Sequence, residues 1–273
     1  MRICTLGDLL LDVIVRLGRP FEVGADVGAE TWVGPGGQAA NVAAWAASLG
    51  ADARFVGKRG ADVAGRVAAD ELAARGVTDL GLAPEGRTGV VVSVVGPDGE
   101  RTMASDRGVS PQLSPDDLDA AWFEGCDWLH VSGYALARSP IAEAAVTAAR
   151  LARSGGARIS VDLAAWTVIR EAGARSFRGR VEALEPAVVF ANEPEWEMLG
   201  GAYALAETAI VKRGRRGVTV LGANRSEEHE PLGAAVLDTT GAGDALAAGF
   251  LVGGIELGLE AAARCVSKLG ATA

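Results

Sequence analysis

Strand-like and helix-like segments alternate along almost the whole chain, and this alternation limits the fold more than any other feature. Short β-branched or apolar runs, such as ARFVGKRG and ARISVDL, are separated by alanine-rich segments of helical period, such as NVAAWAASLG and IAEAAVTAARLARSG. This pattern predicts an α/β fold with a mostly parallel central sheet flanked by helices. Since 273 residues can bury the core of one such unit, we expect residues 1–273 to form a single domain.

Two regions interrupt the alternation. Residues 13–33 begin like a strand and continue as polar, glycine-rich sequence, and residues 88–105 have the pattern of two strands joined by Gly-Pro-Asp-Gly, a strong turn signal. Together they predict a small β-sheet attached to the α/β body. Such a sheet could be a lid that closes over a ligand and excludes water, and a plain edge hairpin fits the sequence about equally well.

Composition and charge exclude several classes of protein. The formal net charge of -9 argues against a nucleic-acid partner, because phosphate backbones attract basic surfaces. Asp8 and Asp12 interrupt the apolar N-terminal run, which argues against a signal peptide, and the later run ALAAGFLVGGI is too short to span a bilayer. We therefore expect no membrane partner and a cytoplasmic location.

The cysteines and histidines give no sign of a metal site. Cys4, Cys126 and Cys265 are far apart, odd in number and form no CxxC pair, so we expect buried thiols in a reducing compartment. His130 lies in the apolar run WLHVSG and is expected to be a hydrogen-bonded core residue. This scatter disfavours a zinc site.

The most informative motif is DTTGAGD at residues 238–244, which runs directly into the apolar segment ALAAGFLVGG. Its glycines allow close approach of a ligand, and the first N–H groups of a helix can hold an anion. In a site that only bound phosphate, the Asp244 carboxylate would be repelled by the ligand. A carboxylate is useful there if it takes the proton of a hydroxyl that attacks phosphorus. The alternative is that Asp244 only caps the helix.

A second glycine cluster, GPGGQAANVAAWAASLG at residues 34–50, lies at another strand-to-helix junction. It satisfies GxGxxA, but it does not follow the first strand, and no acidic residue clearly ends a later strand at the spacing of a dinucleotide site. A turn that admits a polyol, with Asn41 as donor and acceptor, fits better. A Walker A string and a GxSxG elbow are both absent from the sequence, which disfavours P-loop enzymes and serine hydrolases.

Two polar clusters follow later strands. Asn192 and Glu195 in FANEPEWEML can face one site at a helix start, where their oxygens suit Mg²⁺ through water, but the residues alone favour an ordinary helix cap. The basic cluster VKRGRRG at residues 211–217 is typical of a solvated turn, and its position between two strands also permits a nucleotide phosphate nearby.

Taken together, these motifs resemble those of the ribokinase-like, or PfkB, carbohydrate kinases. The order GDLLLD, GGQAANVAAWAASLG, TG, DGER, HVSGY, NEPE, KRGRRG and DTTGAGD is similar to that of the family along nearly the whole chain. The resemblance implies a ribokinase-like fold with a β-sheet lid, which in ribokinases also forms the dimer contact. It implies ATP-dependent phosphorylation of a hydroxymethyl group on a sugar or a related small molecule.

The resemblance also implies roles for individual residues. Asp244 would be the general base, with an anion hole formed by the amides of Gly241, Ala242 and Gly243. The remaining implied positions fall into three groups: substrate contacts at Asp12, Gly36, Gly37, Gln38 and Asn41; nucleotide and Mg²⁺ contacts at Asn192, Glu195, Lys212 and Gly214; and a possible K⁺ site at Asp238 and Thr240.

Three departures from the family pattern leave the substrate open. Gln38 stands where ribokinase-type members often have lysine, Lys212-Arg213-Gly214 replaces the commoner Thr-Leu-Gly, and a last helix that relatives usually carry is expected to be missing, so the adenine pocket is expected to be differently walled. A nucleoside kinase of the same family is an alternative. A non-catalytic sugar or nucleotide sensor is a second, and a dinucleotide-binding oxidoreductase, resting only on GPGGQA, is the weakest.

Overall fold

The computed structural model describes residues 1–98, 100–201, 205–268, 270–271 and 273, and Arg101 only through its backbone. A nine-stranded sheet forms the body, in the order β13-β12-β11-β10-β9-β8-β1-β4-β5. The seven strands from β11 to β5 pair in parallel, and β12 and β13 pair antiparallel at one edge. The body strands are β1 Arg2–Leu6, β4 Asp52–Val56, β5 Thr78–Asp79, β8 Trp128–Ser132, β9 Arg158–Asp162, β10 Val188–Asn192, β11 Thr208–Lys212, β12 Val218–Gly222 and β13 Arg225–His229.

Helices cover both faces of this sheet, as the alternation predicted. One hydrophobic cluster packs α3 to α6 against one face, and a second packs α1, α2, α7 and α8 against the other. The helices are α1 Gln38–Ser48, α2 Val63–Ala74, α3 Ile141–Ser154, α4 Trp166–Ala172, α5 Ala174–Ala183, α6 Glu193–Met198, α7 Ala242–Gly253 and α8 Ile255–Val266. Because the inner strands are parallel, their carboxyl ends lie along a single edge of the sheet.

The small sheet predicted from the two interruptions is present. It has four strands in the order β3-β2-β6-β7, namely β2 Leu10–Leu17, β3 Ala29–Gly36, β6 Thr88–Val95 and β7 Arg101–Gly108. The strands extend beyond the predicted segments 13–33 and 88–105, so Asp12 and Gly36 belong to this sheet. Gly99 of the predicted turn lies outside the described residues. We call this four-stranded sheet the lid.

The expectation of three unpaired thiols is wrong for two of them. Cys4 and Cys126 form a disulfide across a sequence separation of 122 residues, and only Cys265 is free and buried. The pairing follows from strand order: Cys4 lies in β1, Cys126 just precedes β8, and β1 and β8 are neighbours. Among the described helices, none has the length and apolarity needed to cross a membrane.

Candidate active site

The motif at residues 238–244 forms the turn into α7. Gly241 has φ of 75° and precedes the first helical residue; a Cβ there would collide with the Ala271 carbonyl oxygen, which requires glycine at this position. The Ala242 amide donates to Thr239 O at 3.3 Å. The amides of Gly241 and Gly243 have no acceptor in the part of the chain that the structure describes. This helix start therefore has free N–H groups that can bind an anion.

Asp244 lies in the first turn of α7, beside α1. Its Oδ2 accepts a hydrogen bond from Asn41 Nδ2 at 2.8 Å, across 203 residues of sequence. Burial, with added repulsion from Asp162 and Asp12, raises the pKa of Asp244 to about 7. Within the described residues, the buried Asn41 Oδ1 has no hydrogen-bond partner. A carboxyl group that titrates near neutrality is suited to accept a proton.

Lys212 brings a cation to the same helix start. Its Nζ donates to Asp162 Oδ2 at 2.6 Å and lies 3.1 Å from the point where a Cβ on Gly243 would stand. Burial lowers the pKa of Lys212, but the carboxylates of Asp162 and Glu195 outweigh burial and raise it, so the ammonium stays charged. The motif analysis missed Asp162, although its position at the carboxyl end of β9 was a usable signal.

Asn192 and Glu195 form a reciprocal cap at the start of α6. Asn192 Oδ1 accepts from the Glu195 amide at 2.9 Å, and Glu195 Oε2 accepts from the Asn192 amide at 2.8 Å. Asn192 Nδ2 donates to Glu195 Oε1 at 2.6 Å. Glu195 is 1% exposed, and burial raises its pKa to about 7. Both side chains thus act as a helix cap, and Glu195 lies within electrostatic range of Lys212.

The glycine cluster at residues 34–37 lies where β3 leaves the lid for α1. A Cβ on Gly36 would collide with the Asp12 carboxylate, and Gly37 has φ of 100°, so the sequence needs glycine at both positions. Gln38 Oε1 accepts from Ser132 Oγ at 2.6 Å. Asp12, Gly36 and Gly37 are therefore adjacent, at the junction between lid and body.

Tyr134, which no motif assigned to the site, lies within electrostatic range of Asp244 and of Asp8. Burial raises the pKa of its phenol, and the carboxylates of Asp244, Glu195 and Asp8 raise it further. The Arg107 guanidinium lies 5.8 Å from the centre of its ring. The only sequence signal for Tyr134 was the string HVSGY at the end of β8.

Three predicted positions lie apart from these contacts with Asp244, and two of them, Asp238 and Thr240, bind each other. Asp238 Oδ1 accepts from the amide and hydroxyl of Thr240 at 2.8 and 2.5 Å, and its Oδ2 accepts from the Gly270 amide at 3.1 Å. Gly214 is exposed, with φ of 57°. No group of three acidic, histidine or cysteine side chains among the described residues is close enough to hold a metal ion.

His130 is a core residue, as expected. It is fully buried, its Nδ1 lies 3.0 Å from Ser160 Oγ, and burial lowers its pKa to about 4. The imidazole is therefore neutral at physiological pH.

The chain is similar along its whole length to known carbohydrate kinases. The model of the pfkB family of carbohydrate kinases matches residues 1–273. An ATP-dependent ribose-1-phosphate kinase of Halopiger xanaduensis is 32% identical, covering 97% of this chain and 90% of that protein. A fructokinase of Salmonella typhimurium is also 32% identical, covering 92% of this chain and 83% of that protein.

The fold has counterparts among solved structures. The crystal structure of an adenosine kinase from Sinorhizobium meliloti superposes with a TM-score of 0.87 at 25% identity, covering 100% of this chain and 95% of that one. The family match and this likeness confirm the expected ribokinase-like α/β fold.

Proposed function

The chain belongs to the PfkB family of carbohydrate kinases and is an ATP-dependent kinase, and on that premise we propose that it phosphorylates a hydroxymethyl group of a neutral sugar or sugar derivative. One observation carries this proposal. Asp244, with a pKa near 7, lies beside the ammonium of Lys212 and at a helix start where the amides of Gly241 and Gly243 have no acceptor among the described residues. A base, an anion-binding site and a cation thus occur together, as phosphoryl transfer to an alcohol requires.

In the proposed mechanism Asp244 is the general base. ATP, when bound, supplies the phosphoryl group. Asp244 accepts the proton of the acceptor hydroxyl. The oxygen of that hydroxyl forms the new bond to phosphorus as the bond to ADP breaks and ADP leaves. The hydrogen bond from Asn41 holds the carboxylate in place, and Asn41 Oδ1 is left to accept from a substrate hydroxyl. Asp244 is thereby oriented for its task before substrate binds.

The negative charge of the transferred group would be held by this chain's own donors. The amides of Gly241 and Gly243 are free to donate, and that of Ala242 becomes available once it turns from Thr239. Lys212 adds a full charge beside Gly243. The two free amides and Lys212 are already in place, and fixed donors of this kind stabilise a transition state without reorganising.

The acidic residues fit Mg²⁺ only indirectly. The oxygens of Asn192 and Glu195 already accept hydrogen bonds in the helix cap, so we infer that they hold Mg²⁺ through water while the nucleotide phosphates supply most of its ligands. Asp238 and Thr240 are kept as a candidate K⁺ site, and Gly214 as part of the nucleotide site. Both assignments rest on the family resemblance.

The charges around Asp12 favour a neutral acceptor. Arg107 donates to the Asp8 carboxylate at 2.8 Å, and Lys212 donates to the Asp162 carboxylate at 2.6 Å. An acceptor with its own anionic group would have to compete for a paired cation and would meet Asp12 and Asp244. A neutral sugar avoids this electrostatic cost. Its hydroxyls can donate to Asp12 and accept from Gln38 while the ring lies over the glycines at 36 and 37.

Likeness to the adenosine kinase keeps a nucleoside kinase as the second candidate. An ADP-release panel with Mg²⁺, with and without K⁺, separates the candidates by testing ribose, fructose, ribose 1-phosphate, ketodeoxygluconate and adenosine. We expect turnover with a neutral sugar. Turnover only with adenosine would select the nucleoside kinase, and calorimetric binding without transfer to any acceptor would indicate a sensor.

Two broader assignments remain proposals. Trp32 and Met103 lie in one row on the same face of the lid and are 40 and 49% exposed, and we propose that this face forms the contact of a homodimer. Sedimentation of the wild type and of a Trp32→Asp, Met103→Asp variant tests it, since a monomer in both cases would refute the contact. A cytoplasmic location is proposed because ATP is supplied there.

A further inference from the structure

The chain crosses between body and lid four times, at residues 7–10, 36–38, 86–88 and 107–110, and Asp8 lies in the first of these crossings and contacts two of the others. Asp8 lies in the first, and its backbone oxygen packs so tightly against the second that a Cβ on Gly37 would collide with it. In the last crossing, Arg107 and Ser110 bind the Asp8 carboxylate. Asp8 therefore lies at the point where the lid's connections converge.

The contacts between these residues are charged, bidentate and buried. Arg107 Nε and Nη2 donate to Asp8 Oδ2 and Oδ1, each at 2.8 Å, and Ser110 Oγ donates to Asp8 Oδ1 at 2.6 Å. Asp8 is 3% exposed. Exposed ion pairs stabilise little, but breaking a buried one leaves an uncompensated charge, so the geometry is strongly preferred. We call Asp8, Arg107 and Ser110 the hinge clamp.

The hinge clamp lies between the two halves of the proposed active site. Asp12 is four residues beyond Asp8, on the lid strand that begins at Leu10. Towards the body, Arg107 lies over the ring of Tyr134. The negative charge of Asp244 helps to raise the pKa of the Tyr134 phenol. A shift of the clamp would therefore change the separation between the substrate-binding carboxylate of the lid and the base on α7.

We propose that Asp8 and Arg107 are positioning residues that set the placement of the lid, and with it the placement of Asp12 relative to Asp244. This inference rests on the proposed function for its kinetic consequence. Its structural consequence, a lid whose mobility depends on Asp8, does not need that function.

The experiment compares Asp8→Asn, Arg107→Gln and the double variant with the wild type. Asp79→Asn is the matched control, because it breaks another little-exposed ion pair, with Arg59 at 2.7 Å, on the body. Ser110→Ala removes a single hydrogen bond from the clamp and serves as a milder variant if the others fail to fold. Hydrogen exchange of residues 10–17 and 88–95 reports on the lid, and KM for sugar and for ATP reports on the site.

We expect lid amides to exchange at least tenfold faster in Asp8→Asn and Arg107→Gln, with β8 to β10 unchanged. Ser110→Ala changes the same amides by a few fold. The sugar KM rises about tenfold or more while the ATP KM stays within twofold, since an ångström of misplacement costs up to about 10² in rate. The double variant loses no more than either single one, because the pair acts as a unit.

Lid exchange that matches the wild type, or a sugar KM that moves no further than in Asp79→Asn, would overturn the inference. If the wild type transfers phosphate to no acceptor, the proposed function fails by itself, and hydrogen exchange alone then decides the role of the hinge clamp.

Discussion

Replacing Asp244 by asparagine is expected to stabilise the protein while it removes the proposed base, and the stabilisation should depend on pH. The native carboxyl has a pKa of about 7, above its value of about 3.8 in an unfolded chain. Between these values the native state binds more protons than the unfolded state, so Asp244 costs stability as pH rises through that window. An asparagine, which carries no charge, has no such cost and can keep the hydrogen bond from Asn41.

The magnitude follows from the same shift. Each pKa unit is worth about 1.4 kcal/mol, so the advantage of Asp244→Asn would grow by at most about 3 kcal/mol between pH 5 and pH 8. Because Asp244 is only partly buried and solvent screens part of the effect, we expect about 1 kcal/mol, or roughly 2–4 °C in Tm.

Thermal unfolding at pH 5 and pH 8 measures this difference, with Asp116→Asn at an exposed site as the charge-matched control. An advantage of Asp244→Asn that is no larger at pH 8 than at pH 5 would refute the claim that the fold holds this carboxylate at an energetic cost.

Three further predictions follow from the site. Since the base must be ionised, kcat/KM should rise with pH, and this ascending limb of the pH profile should be centred near 7. The Glu195→Gln variant should keep the limb, and a flat profile from pH 6 to 8 would contradict the prediction. Lys212→Met should lower kcat by about 10² to 10³ and move the limb to higher pH, because Lys212 lowers the pKa of Asp244. A limb at the same pH as in the wild type would show that the charge of Lys212 does not act on Asp244. Gly36→Ala should displace Asp12 and raise the sugar KM about tenfold with the ATP KM unchanged, and equal changes in both would point to general damage.

The fold was largely predictable because its signals are local. Alternating strands and helices and the Gly-Pro-Asp-Gly turn each depend on residues near one another in sequence, and both the body and the lid follow from them. The edge strand β13 was missed because its sequence, RSEEH, is charged and lacks a strand pattern. Such strands suit sheet edges, where charge discourages further pairing.

The site was predictable only where a motif is contiguous. Residues 241–244 and 36–41 could be predicted as site residues because each set is contiguous in the sequence. Asp162 and the hinge clamp were not, since Asp162 is 50 residues from Lys212 and Asp8 is 99 residues from Arg107, and these pairs meet only in the folded chain. Tyr134 was not, because no motif gave it a role. The Cys4–Cys126 pair was missed for the same reason.

Asn192 and Glu195 show the opposite case. A helix cap was one of the two roles that the local sequence allowed, and the structure has that cap in full. Any further role of these side chains in orienting Mg²⁺ would involve the atoms of the nucleotide.

The central claim, that Asp244 is the base of phosphoryl transfer, is tested most directly by the turnover of Asp244→Asn on the sugar identified by the ADP-release panel, with sugar affinity measured by calorimetry. The account predicts a loss of about 10³ or more in kcat with the sugar Kd within about threefold of the wild type, because proton transfer typically contributes 10² to 10⁴ and the anion-binding amides remain. Turnover within tenfold of the wild type, with the fold intact, would contradict it.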